Sequence, residues 1–161
     1  SIVTAGTISA GDNSGGDDYG IETSATNGAT TIDLTGGTIQ GASTGGLADG
    51  AGVYARSGVP SGGANVTITT NNIGLSSSDR TYTGIDAAIS GNASGQLKIT
   101  SLGTVYATQT GISAVNNNLG GIILNLNAGS TLDLRFANPA CACAIWSCRS
   151  AKVWRWTTVG S

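Results

Sequence analysis

Gly20-Ile21-Glu22-Thr23, Gly52-Val53-Tyr54-Ala55, Gly84-Ile85-Asp86-Ala87 and Gly111-Ile112-Ser113-Ala114 repeat one pattern, a glycine and a β-branched residue ahead of an alternating pair. Their starts lie 32, 32 and 27 residues apart. Each copy leads into a second alternating run: Ile32-Asp33-Leu34-Thr35, Val66-Thr67-Ile68-Thr69, Leu97-Lys98-Ile99-Thr100 and Ile122-Ile123-Leu124-Asn125-Leu126. A third short run follows: Gly37-Thr38-Ile39-Gln40, Asn72-Ile73-Gly74-Leu75, Gly103-Thr104-Val105-Tyr106 and Gly129-Ser130-Thr131-Leu132. Ile2-Val3-Thr4 and Gly6-Thr7-Ile8-Ser9 read as the second and third runs of an earlier unit.

Period-2 alternation gives each run one apolar and one polar face, the pattern of a half-buried β-strand. A unit of three short strands and Gly/Ser/Asn turns cannot bury its apolar face alone; stacked copies can. Stacking predicts inward columns Ile21/Val53/Ile85/Ile112, Leu34/Ile68/Ile99/Leu124 and Ile39/Ile73/Val105/Leu132, with a small column Thr23/Ala55/Ala87/Ala114 where the chain bends. The fold expected is all-β: a right-handed parallel β-helix (β-solenoid) with three short strands per turn and about four to five turns. Its hand follows from the right-handed bias of parallel crossovers. A sandwich would need hairpins, and Asn27-Gly28 is the one Asn-Gly step in the chain. The polar stretches Gly41–Gly50 and Ser57–Ala64 fit as loops between units.

Composition narrows the function. The 161 residues include 26 glycines, three cysteines and no histidine, with a formal net charge of −2. Without histidine there is no Ser-His-Asp or Cys-His machinery and no histidine metal site. The weak net charge argues against nucleic acid as a partner. No apolar run is long enough to insert in a membrane as a helix. Residues 1–134 carry all nine acids and three bases; residues 135–161 carry four bases, no acid, all three cysteines, all three tryptophans and the one phenylalanine. The chain therefore divides into repeats (1–134) and an atypical Cys/Trp/Arg-rich tail (135–161). The opening Ser1-Ile2-Val3-Thr4 has no charged n-region and reads as the start of a mature or excised fragment rather than a signal peptide.

The stretches YGIETSATNGATTIDLTGGTIQG (19–41), AGVYARSG (51–58), TGISAVNN (110–117) and LNAGSTLDL (126–134) resemble the passenger region of bacterial autotransporters, the type V secreted adhesins. The resemblance covers residues 1–134 and lies in strand-and-turn style. It implies an extracellular or cell-surface β-helix delivered through a translocator barrel, which is missing from this sequence, with a host or bacterial surface glycan or protein, or another copy, as partner. The absence of cysteine from 1–134 agrees with a chain that crosses an outer membrane unfolded. The tail departs from the pattern. An out-of-frame segment explains the abrupt gain of Cys, Trp and Arg best; a cap over the last turn is the rival. A zinc site lacks a fourth ligand, since Cys141-x-Cys143-x4-Cys148 supplies three.

The binding candidates are Glu22, Tyr54, Arg56 and Asp86. Stacking places Tyr54 between Glu22 and Asp86 on an outward column, an aromatic flanked by carboxylates of the kind that holds a sugar or a protein; a plain solvated β face is the simpler account. Glu22 and Asp86 would stand about 10 Å apart, beyond comfortable glycosidase range and with Tyr54 between them, so no catalytic residue is expected. Gly11–Asp18 gathers three acids but matches no calcium-loop spacing, and no metal or cofactor is expected. Thr35/Thr69/Thr100/Asn125, beside Asp33/Thr67/Lys98/Ile123, forms an outward ladder suited to strand pairing. The reading is a non-enzymatic passenger acting in adhesion or self-association. A pectate-lyase-like enzyme, using Arg56 or Lys98 as base, and a spacer without ligand are the alternatives.

Overall fold

The computed structural model describes residues 1–9, 19–26, 28–41, 50–59, 64–76, 78–91, 95–116, 120–127 and 131–134. Along the chain the strands are β1 (Ile2–Val3), β2 (Thr7–Ser9), β3 (Tyr19–Ala25), β4 (Thr30–Gln40), β5 (Ala51–Val59), β6 (Val66–Ile73), β7 (Thr81–Gly91), β8 (Leu97–Ser101), β9 (Thr104–Asn116), β10 (Ile122–Leu126) and β11 (Thr131–Leu134). Among the described residues there is no helix. All eleven strands join one sheet, and every pairing between them is parallel. The sheet curls so strongly that inward side chains from all its parts meet in one core.

The pairings fall into three sets, labelled walls A, B and C. Wall A runs β3-β5-β7-β9, with Ile21, Val53, Ile85 and Ile112 in register, as the repeat predicts. The small row Thr23/Ala55/Ala87/Ala114 is likewise in register. Wall C aligns Ile8 with Ile39, Ile73, Val105 and Leu132, also as predicted. Wall B runs β1-β4-β6-β8-β10 and differs by two residues at one strand: Ile68 pairs with Ile32, and Leu34 pairs with Thr70. The inward row is Ile2/Ile32/Ile68/Ile99/Leu124. Both Ile32 and Leu34 are buried, so alternation alone admits either register. What selects one is a break in register between Leu34 and Thr38, where the Gly36-Gly37 step takes up two extra residues. The predicted outward ladders shift with it. Asp33, not Thr35, continues Thr69/Thr100/Asn125, and Thr31, not Asp33, continues Thr67/Lys98/Ile123.

The core is aliphatic. Ile32, Ile39, Ile68, Ile73, Ile85, Ile99, Val53, Val66 and Val105 are fully buried, and each such side chain contributes roughly 1.5–3 kcal/mol of transfer free energy. Polar groups enter the interior mainly near strand ends. Asn116 is buried but donates from Nδ2 to the carbonyls of Gly95 (2.9 Å) and Gly121 (2.6 Å), tying two turns of chain together. Buried Ser101 donates to the Gly103 carbonyl at 3.2 Å. Among the described residues the buried hydroxyls of Ser57 and Thr70 find no hydrogen-bond partner, a cost of about 1–3 kcal/mol each if left unmade.

The shortened last repeat has a local cause. From wall C to wall A the chain takes 14 residues between Ile39 and Val53, 12 between Ile73 and Ile85, but 7 between Val105 and Ile112. In the last case β9 runs straight through the corner as one strand. In the middle case Gly74 and Leu75 are brought back against Asp79. Gly74 adopts φ +75°, where a side chain would be strained. Leu75 N–H donates to both the backbone carbonyl and the Oδ2 of Asp79, each at 3.1 Å.

Candidate functional site

The repeat's glycines explain how wall A is held close to wall C. A Cβ on Gly20 would lie 2.7 Å from both the Gly52 carbonyl and Ile39 Cγ2. On Gly52 it would lie 2.8 Å from the Gly84 carbonyl and 2.5 Å from Ile73 Cγ2. On Gly84 it would collide with Val105 Cγ1 and the Gly111 carbonyl. Real side chains do not tolerate such contacts. Glycine therefore lets wall A turn in against the wall C aliphatics, and the residue two positions on, Glu22, Tyr54 or Asp86, faces outward.

Glu22, Tyr54 and Asp86 are register neighbours on β3, β5 and β7, and Arg56 is level with Ser24 and Ala88, all as predicted. Arg56 does not stay level with its row. Its Nη2 reaches diagonally to Asp86 Oδ2 at 2.5 Å, and its Nη1 donates to the Asp86 carbonyl at 3.1 Å. The guanidinium carbon lies 4.0 Å from the Tyr54 ring centroid. Burial disfavours the charge on Arg56, but the hydrogen bond and charge of Asp86, with smaller help from Tyr54, outweigh it and hold its pKa above the ordinary value. Glu22 is exposed.

Tyr19 belongs to this group and alternation did not find it. Its ring centroid is 4.6 Å from that of Tyr54, with the planes 31° apart. Tyr19 precedes Gly20, and the close approach at the glycine breaks the simple in-out count that would have placed it. Tyr54 thus has a cation and a second ring against its π surface, which leaves little of that surface for a sugar to stack on. The arrangement clasps three neighbouring strands of wall A: Tyr19 from β3, Tyr54 and Arg56 from β5, Asp86 from β7.

A second cation lies at the wall C corner. Arg80 is buried, donates from Nη1 to the Ala107 carbonyl at 3.1 Å, and has its guanidinium carbon 5.5 Å from the Tyr106 ring centroid. Close by in sequence, Leu75 is 52% exposed.

Wall B carries the polar ladder. Thr31/Thr67 and Asp33/Thr69/Thr100/Asn125 point outward in adjoining rows, and Lys98 and Ile123 complete the first. Asn125 Nδ2 reaches Thr100 Oγ1 at 3.5 Å. Asp33 accepts from the Thr35 hydroxyl and, at 2.9 Å, from the Thr35 N–H; these bonds, the hydroxyl's first, lower its pKa. A carboxylate stabilised this way adds to folding stability above its unfolded pKa and loses that contribution as pH falls through the lower folded value. Arg56 and Lys98, the two bases considered for a lyase, stand on different walls. The Gly11–Asp18 loop and the whole tail from Arg135 lie outside the described residues. Among the described residues no three acidic or cysteine side chains group so as to hold a metal ion.

Comparisons with family models, with curated proteins and with solved structures find no match for this chain.

Proposed function

We propose that the chain is a right-handed parallel β-helix with three strands per turn and four to five turns, and that it serves as a surface-exposed or secreted passenger segment of an autotransporter. Its role is adhesion or self-association, through contacts made by rows of polar side chains with a surface glycan, a surface protein or another copy. The observation that carries the reading is the parallel pairing of every strand, with like aliphatic residues in register. Ile21/Val53/Ile85/Ile112 and Ile2/Ile32/Ile68/Ile99/Leu124 align strands about one repeat apart. A parallel sheet curled in that way displays its outward residues as ladders spaced about 4.8 Å apart. The wall B ladder supports the surface role best. Its hydroxyls and amides point out in order, whereas the wall A group is largely engaged with itself. Weak contacts repeated over many displayed copies add up by avidity.

The test is a glycan-array and bead-clumping assay with the displayed chain. Binding or clumping that is lost in Thr67→Glu/Thr100→Glu and retained in Tyr54→Ala supports the reading. Calcium-dependent turnover of polygalacturonate would overturn it in favour of the lyase alternative. Absence of both binding and clumping would leave the spacer.

A further inference from the structure

The three inner strands of wall B carry one acid and one base, and among the described residues neither is paired with an opposite charge. β4 contributes Asp33, β8 contributes Lys98, and β6 between them has no charged side chain. Lys98 is exposed and makes no ion pair. Both Thr35 donors bond Asp33 at Oδ1, so Oδ2 is left for another cation. Wall A, by contrast, satisfies its charges internally through Arg56 and Asp86.

The register keeps the wall B charges apart. Asp33 is level with Thr69 and Thr100, whereas Lys98 is level with Thr67 and Thr31. They stand two strands apart and two residues apart along the strands, roughly 10 Å across and about 7 Å along. The midpoint between them falls on β6 at Ile68, which is fully buried, with Thr67 and Thr69 facing outward on either side. This placement is self-complementary. A half-turn about an axis through that midpoint, lying in the plane of contact and perpendicular to the Lys98–Asp33 line, exchanges the two positions. A second copy laid down by that rotation sets each Lys98 over the other copy's Asp33, with the two sets of strands crossing at roughly 70°. No like charges meet. Thr67 and Thr69 surround the axis, and their short side chains let the two faces approach.

We infer that wall B docks a second copy of this chain face to face, through two symmetry-related contacts between Lys98 and Asp33. The inference rests on the self-association reading of wall B and names its partner and its mode. It uses β4, β6 and β8 alone, so the ends of the sheet play no part. One patch meets itself, so the contact closes as a dimer. The facing strands cover roughly 15 by 17 Å on each copy, so the pair buries on the order of 500 Å², under the ~1,200 Å² of a stable complex. Exposed ion pairs add little to that. The dimer is therefore weak in solution and gains strength where many copies are displayed together.

Sedimentation equilibrium of the 161-residue chain under reducing conditions, which silence the tail cysteines, reads this out. Weight-average mass should rise from one toward two monomer masses in the high-micromolar to millimolar range and level there. Added salt should move the rise to higher concentration. Lys98→Glu sets acid against acid at both contacts, and Asp33→Lys sets base against base. Each variant alone should associate more than about tenfold more weakly. Their equimolar mixture should regain the dimer, because one contact then joins Lys98 to Asp33 and the other joins the two substituted side chains, again of opposite sign. Far-UV circular dichroism reports whether the variants fold. If either does not, amide chemical shifts of the unmodified chain decide: those of Thr31, Asp33, Thr67, Thr69, Lys98 and Thr100 should move together with concentration. A chain monomeric throughout, association that Lys98→Glu leaves unchanged, a mixture no stronger than its folded components, or shifts confined to wall A would each overturn the paired face. Glycan binding by a chain that stays monomeric would also overturn it, and would leave the adhesive role standing. Rescue in the mixture, with no binding to any glycan or surface protein, would keep the paired face and remove adhesion to other surfaces.

Discussion

Arg56 shows how a residue chosen for an outward column can be taken up by the molecule itself. A guanidinium within reach of a carboxylate one turn away and of a ring on its own strand meets both, because each contact costs little extra ordering once the strand is fixed. The Arg56–Asp86 pair is partly exposed, at 31% and 27% for the two side chains, so screening keeps its worth modest, about 0.5–1 kcal/mol, with a similar amount from the cation over Tyr54. A double-mutant cycle of Arg56→Ala and Asp86→Ala, followed by thermal unfolding, should therefore give a coupling of about 1 kcal/mol or less. Arg56→Lys should not restore it, since an ammonium cannot bond both Asp86 Oδ2 and the Asp86 carbonyl as the guanidinium fork does. The inclusion of Asp86 and Arg56 in one group could be read from the repeat spacing. The diagonal reach and the stacking of Tyr19 could not, because they depend on side-chain conformation and on the bend at Gly20.

At the scale of elements, wall A was legible and wall B only partly so. Wall A has one glycine and one β-branched residue per copy, so a single alignment satisfies all four strands. β4 offers two inward aliphatics, Ile32 and Leu34, and the two-residue Gly36-Gly37 bulge decides between them. Bulges are written in backbone geometry, and a count of alternating residues does not register them. The glycine row makes a sharper statement about these elements than the aliphatic rows do. Replacing Gly84 by alanine drives a Cβ into the Gly111 carbonyl and Val105, so Gly84→Ala should destabilise the chain by about 1–3 kcal/mol. Gly6→Ala, where nothing lies within 4 Å, should change the urea midpoint little. Equal effects of the two substitutions would show that wall A does not lie against wall C.

For the whole molecule, the rows of Ile, Val and Leu are what convert a glycine-rich, charge-poor sequence into an ordered sheet. The interior they make is narrow, and glycine and alanine admit the corners. The general architecture was legible because a period near 32 residues is a whole-molecule signal that survives local irregularity. The surface chemistry was less so, because outward residues answer to no packing constraint that spacing could reveal.

The account stands on strands one repeat apart lying side by side and pointing the same way. Nuclear Overhauser contacts in isotope-labelled protein test that directly. The expected pattern is interstrand amide-to-Hα contacts linking the neighbourhoods of Ile21 and Val53, Val53 and Ile85, and Ile85 and Ile112, as parallel pairing requires. Strong Hα-to-Hα contacts between strands adjacent in sequence, such as β3 with β4 or β5 with β6, would mean antiparallel hairpins and would contradict it.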